Sequence, residues 1–312
     1  METPGMEEGP RRSLPRMITP LSTPAYDRDT QLNFPLKRAE LQKVVRAALD
    51  EDQAFNDITT IATVVSDRRA RATLVARQSG TVAGMALALE AFRLLDPKAS
   101  IRVDREDGWR VTSGDPVMFV TGHARALLGA ERVALNFMQR LSGIATLTAR
   151  YVDLVDGTNA KILDTRKTTP GWRALEKYAV RVGGGANHRS DLASGVLIKD
   201  NHLVACDGDV ALAVRRAREM APSGMPIEVE CDTPKQVRAA IDAGAEIVLL
   251  DNMTLDEMRE SVAMVGGRAK VEASGGVNLS TVRPIAETGV DWISIGALTH
   301  SPPALNLALD FD

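Results

Sequence analysis

Cysteine is scarce in this 312-residue chain. Its two copies, Cys206 and Cys231, are too few for a disulfide framework and have no metal-ligand spacing. They read as buried packing residues, and a reducing cytoplasm is the expected compartment. Positive charge is not in surplus either: 38 Lys and Arg stand against 41 Asp and Glu, a net charge of −3. There is no global basic field to hold nucleic acid or an anionic membrane, so any anion site must be local. No run reaches the roughly 18 consecutive apolar residues of a membrane span. The first two dozen residues, punctuated by Pro4, Pro10, Pro15, Pro20 and Pro24, hold no apolar stretch suited to a signal peptide. Finally, no G-x-G-x-x-G follows an early strand, which weakens the case for a dinucleotide-binding open sheet.

What is present is ordinary soluble composition, 44% hydrophobic and 25% charged, with an order of elements that changes along the chain. Residues 1–30 read as a disordered tail. Residues 31–135 read as a mixed α+β N-terminal domain: helical spacing over Leu36–Glu51, strand alternation over Ala70–Ala76, a turn and helix over Gly80–Leu95, and short strands over Ile101–Val120. Ala124–Val155 is mostly helix and leads into residues 136–297. There, short apolar runs alternate with helical segments: Lys161–Leu163, Val180–Val182, Val196–Ile198, Ile227–Val229, Ile247–Leu250, Lys270–Glu272 and Trp292–Ile295. About seven parallel strands follow, and the fold class is α/β, an α/β barrel ahead of a doubly wound sheet. Residues 298–312 form a C-terminal segment expected to pack on the N-terminal domain.

Several runs end in polar or glycine residues, as at the catalytic mouth of a barrel, where strand carboxyl ends converge. Between Arg166 and Arg189 six basic residues face one acid, Glu176. Arg173, Lys177 and Arg181 fit a solvated helix face. Arg166, Lys167 and Arg189 instead lie in Thr-rich or Gly-rich loops, where Arg can grip a carboxylate or phosphate bidentately and Lys supplies a point charge. Gly183-Gly184-Gly185 lets backbone approach a ligand before Asn187-His188-Arg189. Taken singly, His188 is more often structural than catalytic. Lys199 ends an apolar strand and calls for an anion, either a ligand or an internal acid such as Glu228 or Asp200. Asp200 and His202 suit hydrogen bonds within their own loop. Glu230 and Asp251 end successive strands and could hold a magnesium-bearing diphosphate, ribose hydroxyls, or Lys199 and Lys167. Glu228 lies one pleat deeper than Glu230 on the same face. Ser274-Gly275-Gly276 and Gly296 follow the last two strands, where barrels often cradle phosphate.

As a set, Glu131-Arg132-Val133-Ala134-Leu135-Asn136, Ser142-Gly143-Ile144-Ala145-Thr146, Leu163-Asp164-Thr165-Arg166-Lys167-Thr168-Thr169-Pro170-Gly171, Gly183-Gly184-Gly185-Ala186-Asn187-His188-Arg189 and Ile198-Lys199-Asp200-Asn201-His202 resemble the quinolinate phosphoribosyltransferase family. The match runs from about Leu36 to the end, with five motifs in order. The resemblance implies an incomplete seven-stranded α/β barrel, a mixed N-terminal domain and a homodimer in which Arg132 reaches the partner's pocket. It places Thr165, Arg166, Lys167, His188, Arg189 and Lys199 around the anionic substrates, Glu230 and Asp251 near ribose and Mg2+, and Ser274, Gly275, Gly276 and Gly296 around phosphate. The implied reaction joins quinolinate to phosphoribosyl pyrophosphate, with Lys167, His188, Lys199, Glu230 and Asp251 as the catalytic set and either Lys167 or His188 delivering a proton to C2. Another sugar-phosphate barrel would suit the late glycine loops but would leave the basic cluster unexplained. A catalytically silent sensor would bind without releasing product.

Overall fold

The computed structural model describes residues 33–312. The expected tail, residues 1–30, lies outside the described residues. Residues 34–312 form one compact unit.

The chain enters through α1 (Arg38–Glu51), whose Val45 and Leu49 are buried one turn apart, as helical spacing requires. After α2 (Ile58–Thr63), β1 (Arg69–Ala76) and β2 (Gly80–Thr81) come α3 (Met85–Leu95), β3 (Ser100–Val103), β4 (Arg110–Val111) and β5 (Pro116–His123). β1 pairs antiparallel with β5, and β5 with β3. β2 and β4 form a separate two-stranded ribbon. Packed against these strands is α4 (Ala124–Leu154), 31 residues without a break. Its continuity through Ser142-Gly143 has a steric reason: a Cβ on Gly143 would stand 2.2 Å from the Pro303 carbonyl oxygen. The glycine is there to let another backbone approach, not to end the helix.

The remaining elements are β6 (Lys161–Leu163), α5 (Arg173–Val182), β7 (Val196–Ile198), α6 (Asp200–Val204), α7 (Val210–Met220), β8 (Ile227–Cys231), α8 (Pro234–Asp242), β9 (Ile247–Asp251), α9 (Leu255–Val265), β10 (Lys270–Ser274), α10 (Val282–Ala286), β11 (Trp292–Ser294), α11 (Ala297–His300) and β12 (Leu307–Phe311). β12 leaves the parallel region and pairs with β1, so the antiparallel sheet has the order β12-β1-β5-β3. The parallel sheet has six strands among the described residues, in the order β6-β11-β10-β9-β8-β7. From β7 to β11 each strand sits beside its successor, and β11 then pairs with β6, the first of the set. That return to the first strand is the connectivity of a barrel, not of a sheet wound in both directions.

The sequence count of seven is corrected here. Val180–Val182 closes α5, because Leu175, Tyr178, Ala179 and Val182 are buried at helical spacing; Val-Arg-Val only imitates strand alternation. The seventh position holds a single bridge from Leu163 to Ala186, and Ala186 has no ladder to β7. The wall is interrupted there, so the barrel is incomplete.

Candidate active site

Cross-strand partners in a parallel sheet share a face. Glu230 stands opposite Leu249, and Leu249 opposite Glu272, so these three residues form one row across the sheet. Asp251 and Ser274 face each other one pleat nearer the carboxyl ends, and Glu228 lies one pleat deeper, opposite Leu197 and Ile247. The other face, with Val229, Cys231, Val248, Leu250, Val271, Ala273 and Ile293, is wholly apolar and buried. Acids therefore alternate with apolar residues, and the acidic face lines the mouth.

Lys199 follows β7 and reaches Glu230, Nζ to Oε2 at 2.5 Å. Of the internal acids open to Lys199, the partner is Glu230, not Glu228 or Asp200. Asp200 accepts the Asn201 N–H, and His202 Nδ1 accepts the Lys199 N–H, so both serve their own loop. Asp251 accepts from the Asn252 amide at 2.7 Å and forms no ion pair among the described residues.

The loop after β6 carries Thr165, Arg166 and Lys167. Thr165 Oγ1 accepts the Lys167 N–H at 3.1 Å. The Thr299 hydroxyl donates to the Lys167 carbonyl at 2.8 Å. Glu176, fully buried, accepts both the N–H and the hydroxyl of Thr169 and is paired with Arg140 at 2.7 Å. Loop position is thus fixed by α4, α5 and α11 together. Within it, Arg166 Nε is buried and has no hydrogen-bond partner. A buried guanidinium donor left open is costly unless an acceptor arrives. Arg189 comes close enough for its charge and that of Arg166 to repel. Burial, with that repulsion, pulls its pKa below the usual arginine range.

Lys177 is not on a solvated face, as its place in the basic run suggested. It is buried, pairs with Asp164 and donates to the His188 carbonyl at 2.9 Å. Asp164 also accepts the His188 N–H at 2.9 Å and the Asn187 amide at 2.6 Å. Burial raises the Asp164 pKa against the pull of Lys177, and burial lowers the Lys177 pKa against the pull of Asp164. The pair clamps the His188 peptide from both sides. The His188 ring is fixed as well. Nδ1 accepts the Arg189 N–H at 2.8 Å, and Nε2 is 3.1 Å from Glu228 and 3.6 Å from Glu272.

The glycine loops behave differently. Gly275 takes φ +90°, and a Cβ there would stand 2.2 Å from Asn252 Oδ1; Gly276 takes φ +62° and opens onto empty space. Gly296 packs on the Lys167 stem, where a Cβ would come within 3.0 Å of Cδ. The N–H groups of Gly275, Gly276 and Gly296 donate to no acceptor among the described residues. Arg132 is exposed on α4 and makes no hydrogen bond or ion pair to the mouth residues. A cavity of about 380 Å³ lies beside Val133, Asn136 and Phe137 of α4, against Trp172 and the end of α1, and holds none of the basic residues of the mouth.

Sequence reasoning missed Glu272, Asp164 and the Arg140–Glu176 brace. For Glu272 a signal existed: it precedes Ser274 by two residues in a strand, hence on the same face.

The sequence profile described as "Quinolinate phosphoribosyl transferase, C-terminal domain" matches residues 144–310, and that of the N-terminal domain matches 57–142. A "Probable nicotinate-nucleotide pyrophosphorylase [carboxylating]" of Bacillus subtilis is 42% identical over 275 residues, covering 88% of this chain and 94% of that protein. The corresponding Mycobacterium leprae protein is 46% identical, covering 85% and 95%. The crystal structure of NadC from Streptococcus pyogenes superposes with a TM-score of 0.84 at 39% identity, covering 89% of this chain and 99% of that one. With both halves matched by profiles, relatives aligned over nearly their full length, and the quoted motifs after β6, α5 and β7 gathered at one barrel mouth, the chain belongs to the quinolinate phosphoribosyltransferase family.

Proposed function

We propose that this enzyme transfers phosphoribosyl from phosphoribosyl pyrophosphate to quinolinate, giving nicotinate mononucleotide, pyrophosphate and carbon dioxide for NAD synthesis. The observation that carries the reading is the buried, unpartnered Arg166 Nε beside Arg189 in a mouth that also holds Lys199. Such donors suit a dianionic substrate that arrives with a still more highly charged one. The family membership and the names of its relatives support the reaction.

Arg166, Arg189 and Lys199 hold the two carboxylates and turn the ring nitrogen toward ribose C1, converting an encounter of two anions into an oriented attack. The N–C1 bond forms as the C1–O bond to pyrophosphate breaks. Glu230 and Asp251 stabilise the developing oxocarbenium charge through the ribose hydroxyls. The open amides of Gly275, Gly276 and Gly296 receive phosphate oxygens, with Ser274 beside them. The resulting pyridinium nitrogen accepts the electron pair left when the C2–carboxylate bond breaks, and C2 then takes a proton. We assign that proton to Lys167, a reading supported by its ammonium making no hydrogen bond or ion pair among the described residues while both His188 nitrogens are engaged.

Magnesium fits the rim on donor chemistry, since Asp251 and Glu230 offer hard oxygens on adjacent strands and Asp251 has no cation of its own; bound there, it would neutralise charge on the departing diphosphate. We also place the enzyme in the cytoplasm, a reading supported by two unpaired thiols, and assign it a homodimer in which Arg132 serves the partner's pocket. The exposure of Arg132 supports that last reading.

Purified enzyme with magnesium, phosphoribosyl pyrophosphate and quinolinate should yield nicotinate mononucleotide by mass spectrometry. Labelled carbon dioxide should come from the 2-carboxylate. Nicotinate, which lacks that carboxylate, should fail to react; equal turnover would overturn the reading of the pocket. For the dimer, inactive Arg132→Ala and Lys199→Ala proteins should regain roughly a quarter of parental activity when mixed and allowed to exchange subunits. No recovery despite proven exchange would return Arg132 to its own chain.

A further inference from the structure

His188 sits where the site meets the barrel interior, and its surroundings determine its protonation. The Arg189 amide donates to Nδ1 at 2.8 Å. A nitrogen that accepts an N–H carries no proton itself, so the ring hydrogen lies on Nε2. Nε2 faces Glu228 at 3.1 Å and Glu272 at 3.6 Å. One N–H therefore meets two acids. Glu272 is fully buried, neither of its oxygens accepts a well-formed hydrogen bond, and the Ser294 hydroxyl is the one neutral donor facing it among the described residues. In that setting a carboxylate is far less stable than a carboxylic acid.

We infer that the His188–Glu228–Glu272 cluster keeps its proton on Glu272, leaving His188 a neutral Nε2–H ring that positions Arg189 and does no acid–base chemistry on substrate. Burial pushes the Glu272 carboxyl up to about 7, the Glu228 charge adds to the push, and His188 opposes it. The Ser294 hydroxyl and the Lys199 ammonium are the other polar groups facing it. For His188, burial disfavours the cation while the Glu228 hydrogen bond and the charges of Glu272 and Glu228 favour it, with a net upward pull. The geometry decides where the shared proton goes. An imidazolium would set Nδ1–H head-on against the Arg189 N–H, whereas a proton on Glu272 meets no such conflict and removes one of the two charges pulling on the ring. The three groups also have a metal-like spacing, their nearest atoms lying within 4.8 Å of one another. An Nε2 that carries hydrogen, however, has no lone pair to give a metal.

Glu272 thereby becomes a positioning residue. It allows Glu228 to accept the Nε2–H without a second negative charge beside it, and the oriented ring holds the Arg189 peptide through Nδ1. This deepens the phosphoribosyl-transfer reading and rests on it only for its kinetic consequences.

The test uses the full-length protein, first without substrate. Infrared spectra at neutral pH should contain a protonated-carboxylic-acid band that disappears in Glu272→Gln, a neutral isostere. Nitrogen-15 NMR of labelled histidine should show His188 neutral, with Nε2 protonated, at the same neutral pH. During turnover, Glu272→Gln should keep kcat/KM within about twofold and leave the pH profile of kcat unshifted. An imidazolium signature at His188, absence of the acid band, a kcat loss beyond about tenfold with a shifted profile, or stoichiometric zinc binding abolished by Glu272→Gln would each overturn the inference. The spectra require no turnover. Should nicotinate mononucleotide fail to form, the functional reading falls while the proton assignment is still decided.

Discussion

Lys177 and Lys199 each hold a carboxylate near the carboxyl end of the parallel sheet, one beneath the site and the other at its rim. The Lys177 side chain is 4% exposed and its partner Asp164 fully buried, and both take further partners in the Asn187-His188 segment. That network is closed. Lys199 is 43% exposed, with Glu230 at 13%, and its ammonium has that one partner. Its remaining donors are open to a ligand. The same pair of residue types therefore does two jobs: where both partners are buried and multiply bonded the pair fixes geometry, and where donors stay open to solvent the pair can bind.

Replacing Lys177 with Met should produce the largest effect. It strands Asp164 in the interior without a cation, and breaking a buried pair from one side costs about 3–5 kcal/mol. Urea unfolding should show that loss, with activity falling because the His188 peptide loses its clamp. A mutant of near-parental stability would mean that water reaches the cluster and that the network is not closed.

Lys199→Ala should invert this pattern. The pair is partly exposed and solvent-screened, so unfolding should change by no more than about 1 kcal/mol. Activity should drop by about 10²–10³-fold, the scale of one lost charge-stabilising donor. A large stability loss with retained turnover would make Lys199 a structural residue and dissolve the contrast.

Glu272 tests a third condition, a fully buried acid that accepts no well-formed hydrogen bond. Its folded-state pKa, about 7, lies above the ordinary 4.5. Between those values the folded protein binds more protons than the unfolded chain, so stability should fall as pH rises through the window. The lost contribution is on the order of 3 kcal/mol. Glu272→Gln carries no titrating group, so the difference in urea midpoint between variant and parent should grow in favour of the variant as pH climbs. A difference constant over that window would show that Glu272 titrates normally.

Much of this arrangement was legible in the sequence, and what was not has identifiable causes. Six short apolar runs became strands, because β-rich segments buried on both faces need few neighbours to declare themselves. Glu230, Asp251 and Lys199 were legible from their place at strand ends. Val180-Arg181-Val182 was misleading because three residues cannot distinguish a period of 2 from one of 3.6. Lys177 was misread for a different reason: its acid, Asp164, is 13 residues away across a loop, and only the tertiary fold brings the two together. Glu272 lay within a correctly read strand, yet no window of sequence shows that two acids and a histidine will face one another with a single N–H among them. Arg132 was reached only through the resemblance, since an exposed helix arginine has no local mark of function.

The smallest expected effect belongs to His202, and it sharpens the reading of the rim. His202 is exposed and its Nδ1 accepts the Lys199 N–H at 2.9 Å, so it tidies the first turn of α6. In His202→Ala that N–H turns to water, which is close at hand, and the loss should stay under about 1 kcal/mol. The Lys199 side chain keeps Glu230 as its anchor, so kcat/KM for quinolinate should change by no more than about threefold. Steady-state kinetics beside urea unfolding would measure both. If KM instead rose steeply while stability held, His202 would touch the substrate. Function in Lys199-Asp200-Asn201-His202 would then no longer rest on the lysine alone, and the rim would extend over α6.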